Sequence, residues 1–178
     1  MAYVTPSTVT AGTSPITAAA QNILVNNDIA IQKSIVRLAY QTITSDFSVT
    51  TATVASATDV FSTDLTWTAD GTSAYQVKFW APGSYTSDIL DRYLQFHLVD
   101  GSGNDLGAIG QVGTCQATAR RAYGAVNLEV LYTPSAGSAS INIRCVSVAS
   151  GSGAIKAGPG GSGQLFPAYA AVYGPNLT

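Results

Sequence analysis

The chain has 178 residues, enough for one domain with a hydrophobic core of its own, and 46% of them are hydrophobic, which excludes a disordered tether. Charged residues make up only 10%, against about 25% in an average soluble domain, so the polar surface is mostly Ser, Thr, Asn, Gln and Gly. A net charge of -2, with basic residues scattered except for Arg120 and Arg121, excludes the electrostatic footprint of a nucleic-acid binder.

Residues 1–13 are rich in Thr, with one Pro, one Gly and no helical period, and read as an extended arm. Ser14 and Pro15 then suit a helix start, Ser as N-cap and Pro at the first helical position, where its missing N–H costs nothing. From Ile16 to about Tyr40 the positions Leu24, Ile31, Ile35 and Leu38 make a modest apolar stripe. Two roles fit it, packing on the chain's own domain or forming a seam with a copy or partner. The β-branched residues leave a strand open for 35–43. The first basic residue is Lys33 and no run of about 18 apolar residues exists, so neither a secretory n-region nor a membrane span is expected. The chain reads as made and assembled in a cytoplasm.

After Tyr40 the texture changes to short stretches rich in Thr, Val, Tyr and Phe with period two. Tyr75, Val77 and Phe79 alternate with Gln76, Lys78 and Trp80, because successive side chains of a strand point to opposite faces. The same alternation places Leu94, Phe96 and Leu98 against Gln95 and His97. It places Val126, Leu128 and Val130 against Asn127 and Glu129, and Ile141, Ile143 and Cys145 against Asn142 and Arg144. Turn chemistry stands at 69–71, 81–83, 100–103 and 133–137. Further strands near 44–50, 58–67, 106–113 and 165–173 bring the count to about eight. The fold class is mainly β, an antiparallel, jelly-roll-like β-sandwich carrying an N-terminal extended arm and short helix. The domain division is 1–40 as attachment segment and 41–178 as sandwich. The Gly-rich stretch 149–163 reads as a loop within the domain, since a strand-like segment follows at once.

Residues able to carry chemistry are sparse. The only histidine, His97, has no nucleophile motif around it and reads as satisfied or exposed. Asp88 and Asp91 are the nearest approach to a carboxylate pair and read as a solvated loop. Residues 158–163 match a dinucleotide fingerprint formally, but Gln164-Leu165-Phe166-Pro167 follows where a helix is required. Residues 100–105 resemble part of a calcium loop without its sixth-position glycine and distal Glu, and read as a hairpin turn. Asn176-Leu177-Thr178 fits a glycosylation acceptor, which has no meaning without a secretory route. Cys115 and Cys145 read as buried thiols, with a disulfide the lesser reading. No catalytic residue, cofactor or metal is expected. The tyrosines and Trp80, where exposed, suit contact with a protein or a glycan.

The run Ile16-Thr17-Ala18-Ala19-Ala20-Gln21-Asn22-Ile23-Leu24-Val25-Asn26-Asn27-Asp28-Ile29 resembles the opening of small virion proteins of tailed phages, described as minor tail or capsid decoration proteins. It has Asn26-Asn27-Asp28 where those proteins usually have Arg-Asp-Asn. The blocks 75–83, 132–138 and 151–167 are similar to the same group. The resemblance implies a β-sandwich, commonly trimeric, displayed on a virion and anchored by its N-terminal segment. The contacts of that segment are expected from Tyr3, Val4, Pro6 and Val9 of the arm and from Ile16, Asn22, Leu24, Val25 and Ile31 beyond it. The expected partners are a major capsid protein or other virion proteins and copies of the chain itself, with no nucleic acid and no membrane. The alternative is a tail-associated minor tail protein or adhesin whose loops 82–92 and 117–125 bind a host surface glycan or protein.

Overall fold

The computed structural model describes residues 22–26, 36–86, 93–113, 116–117, 120–121, 124–148 and 152–174. They form a mainly β protein with antiparallel sheets. The strands are β1 (Arg37–Ile43), β2 (Phe47–Val49), β3 (Leu65–Ala69), β4 (Tyr75–Ala81), β5 (Gly83–Thr86), β6 (Tyr93–Asp100) and β7 (Asp105–Gly113). They continue as β8 (Gln116–Ala117), β9 (Arg120–Arg121), β10 (Val126–Tyr132), β11 (Gly137–Ser147), β12 (Gly153–Lys156) and β13 (Ala168–Tyr173).

Two four-stranded sheets face each other, one in the order β1-β13-β4-β10 and the other β3-β11-β6-β7. The alternation in β4 explains why: Tyr75, Val77, Phe79 and Ala81 are buried while Gln76, Lys78 and Trp80 stay partly exposed on the other side. Phe79 of the first sheet meets Phe96 of the second with ring centroids 5.3 Å apart, which is contact between inner faces. A third sheet, β2-β12-β5, extends the first around a bend. Two edges of the sandwich close tightly. Gly110 in β7 leaves room for Leu128 in β10, whose Cδ2 would lie 2.5 Å from a Cβ placed at that glycine.

The structure moves several expected boundaries. Residues 37–40, where the apolar stripe and a strand over 35–43 both fit the sequence, belong to β1, because Arg37–Ile43 finds a ladder partner in β13. Leu38 of the apolar stripe therefore stands on a strand, and Ile31 and Ile35 lie outside the described residues. Helical backbone is present at 22–26. The strand expected over 58–67 is only Leu65–Ala69, and the strands expected near 44–50 and 165–173 narrow to β2 and β13. Pro82 does not reverse the chain: it bends β4 into β5, which leaves for the third sheet.

Before β3 the chain still runs beside β11, but with an irregular backbone. Val60 donates to the Ile143 carbonyl, and the Asn142 side chain bonds both backbone groups of Phe61. This segment covers the polar side of β11, so Asn142 is buried. Arg144 is held by Asp59 at 2.6 Å and by the carbonyls of Val54 and Gly103.

Candidate functional site

The outer face of the first sheet gathers side chains that are far apart in sequence. Cross-strand register sets one row as Thr42, Tyr169, Trp80 and Asn127 and the next as Tyr40, Ala171, Lys78 and Glu129. Side chains opposite one another on one face are neighbours, so the rings of Tyr40, Tyr169 and Trp80 come together. Tyr169 lies 5.8 Å from each of the other two, inclined by 32° to Tyr40 and 27° to Trp80. Ala171 is fully buried beneath its larger neighbours.

Charge on this face is spent locally. The Arg37 guanidinium sits 4.2 Å from the Tyr40 ring centroid, and Lys78 reaches both Glu129, at 3.3 Å, and the Tyr173 ring. Gln76 also donates to Glu129. With Leu38 and Leu131 exposed at its margins, the face is broad, aromatic and carries few free charges. Fully buried interface cores are aromatic and depleted of charge in the same way.

The expected anchoring residues are reached only in part. Asn22, Leu24 and Val25 lie in the helical 22–26, where Leu24 and Val25 are 53% and 55% exposed. Tyr3, Val4, Pro6, Val9, Ile16 and Ile31 lie outside the described residues, as do Asp88, Asp91 and Cys115. Of the two loops expected to reach a host ligand, the described roots meet: Gly124 donates to the Ser84 carbonyl, and the Ser84 hydroxyl donates back to the Gly124 carbonyl.

His97 is a satisfied histidine, 8% exposed, with Nδ1 at 3.0 Å from Asp105 and Nε2 at 3.0 Å from Gln95 Oε1. Residues 100–104 form the β6–β7 turn. The Asp100 carboxylate accepts from the backbone N–H of Ser102 and Asn104 and from the Asn104 amide. Cys145 is a free thiol whose burial pushes its pKa far up, so it stays protonated and inert. Among the described residues no three His, Cys, Asp or Glu side chains gather as a metal site requires, and no helix is long and apolar enough to cross a membrane.

Sequence reasoning singled out Trp80 and the tyrosines as a group but not which of them meet. The signal was incomplete because the Tyr40, Trp80 and Tyr169 partnership exists only through the β1-β13-β4 register. No protein-family model and no curated protein matches this chain.

Proposed function

We propose that this chain is a structural protein of a tailed-phage virion, a capsid decoration protein that attaches through residues 1–40 and presents its β-sandwich as a homotrimer. The observation that carries the reading is the aromatic outer face of β1-β13-β4-β10, on a chain only 10% charged. Such a face packs against protein at low entropic cost, since Tyr and Trp bring large area on two rotatable bonds. Copies of the chain cover it in this reading, which leaves the N-terminal segment for the shell. The resemblance over residues 16–29 supports the virion setting. The eight longer strands divide between two antiparallel four-stranded sheets, and double-sheet β architectures are common in capsid proteins, which supports the reading further.

The test is loading onto capsids that lack the protein. The full chain is expected to bind, and a variant without residues 1–13 is expected to bind much less. Equal loading by both overturns attachment through the arm. Labelling on the tail and none on the shell moves the protein to the second reading, a tail-associated adhesin.

A further inference from the structure

At one end of the sandwich the β6–β7 turn and the β10–β11 connection border an open, solvent-facing cleft of about 390 Å3. This is within the range of small-molecule sites, about 300–1,000 Å3. Its walls are Tyr132, Pro134 and Ala139, and its polar lining is almost wholly hydroxyl, from Ser102, Ser135, Ser138 and Ser140. The hydroxyls of Ser102, Ser135, Ser138 and Tyr132 have no hydrogen-bond partner among the described residues. Ser140 donates to Asp64, which leaves its lone pairs to accept.

One wall of the cleft, the β6–β7 turn, is held by its own hydrogen bonds. Asp100 spends its carboxylate on its own turn, Gly101 donates to the Ser140 carbonyl, and Gly103 donates back to Asp100. No Lys or Arg lines the cleft, and its one carboxylate repels anions. Behind the wall the Trp67 indole N–H is buried without an acceptor. Its ring contacts Tyr132 edge-on at 6.4 Å, and it pairs across the ladder with Ala139, so it backs on two lining residues.

We infer that this cleft is a binding site for a neutral saccharide, whose hydroxyls exchange hydrogen bonds with the serine and tyrosine hydroxyls while a ring face lies on Tyr132. Anionic ligands meet no cation here, and a purely apolar ligand strands the hydroxyls. The inference does not depend on whether the protein sits on capsid or tail.

The test uses the full chain on an array of bacterial-surface and host glycans, followed by titration of the retained sugar. The sequence has two tryptophans, so a Trp80→Phe variant makes Trp67 the only reporter. The expected result is retention of neutral glycans and a saturable shift in Trp67 emission. Ser138→Phe, at an exposed position, is expected to weaken binding by at least about tenfold through steric block, with its melting transition kept. Phe166→Ser, at an exposed position outside the cleft lining, is expected to leave sugar binding unchanged. Retention of no glycan, or of anionic glycans alone, overturns the inference. So does binding that survives Ser138→Phe and is lost in Phe166→Ser. The capsid-loading result for residues 1–13 is read separately, so failure of one proposal is not failure of the other.

Discussion

Asn142 supplies from its side chain the ladder bonds that Phe61 lacks. Its Oδ1 accepts from the Phe61 N–H at 3.2 Å and its Nδ2 donates to the Phe61 carbonyl at 2.9 Å, while Nδ2 also reaches Asp64 at 2.9 Å. The amide thus bridges the place where the chain approaches β3 out of strand geometry. It lets Phe61 turn inward onto Phe79, at 6.1 Å between centroids. Replacing it strands two buried backbone groups at once. Asn142→Leu is expected to cost about 3 kcal/mol, since each buried unsatisfied group costs about 1–3. Thermal melting checks this, with a fall of roughly 6–12 °C for a domain of this size.

Phe79 joins the two sheets through Phe96 and the covering segment through Phe61. Phe79→Ala is expected to destabilise by about 3–5 kcal/mol, the transfer and cavity cost of a buried phenylalanine. Urea denaturation measures it, and the slope against urea should be unchanged if the cavity is the whole effect.

On the outer face, Tyr169 is the ring shared by Tyr40 and Trp80. Tyr169→Ser removes both contacts from a partly exposed position. Its cost to the monomer is expected to be about 1–3 kcal/mol, as for two aromatic pairs. If copies of the chain cover this face as proposed, light scattering on the eluting protein should show an oligomer for the natural sequence and monomers for Tyr169→Ser. An unchanged assembly mass argues against self-association through this face.

Acid should loosen the turns at the cleft end. Hydrogen bonds from the Ser73 hydroxyl and from the backbone N–H groups of Ser73 and Thr72 hold the Asp70 carboxyl well below the usual carboxylate range. The Asn104 side chain and backbone lower Asp100 in the same direction. A folded-state pKa below the unfolded value gives stability that is present above about pH 4 and lost as pH falls below it. Denaturation midpoints at pH 7 and pH 3 are expected to differ less in Asp70→Asn than in the natural sequence.

The Cys145 thiol should resist a thiol reagent in the native protein, being 1% exposed and kept protonated by burial. In a Cys115→Ser background, labelling is expected only at the rate of unfolding. Rapid labelling in native buffer shows that β11 opens locally.

Period-two patterning determined much by itself. The inward set of Tyr75, Val77 and Phe79, the turn chemistry at 69–71 and 100–103, and the mainly β class follow from local alternation and turn residues, which act over a few residues. Residues 37–43 show where local reasoning ends. Leu38 fits a helical stripe as well as a strand, and only pairing with β13, more than a hundred residues away, decides for the strand. Asn142 and His97 share that limit. Alternation puts both on a polar side, but a covering segment buries one, and Asp105 and Gln95 enclose the other. The ring cluster of Tyr40, Trp80 and Tyr169 and the hydroxyl cleft between two turns are likewise tertiary. Composition supplies aromatic rings and serines in number, while register and the meeting of turns in space set which of them face a common partner.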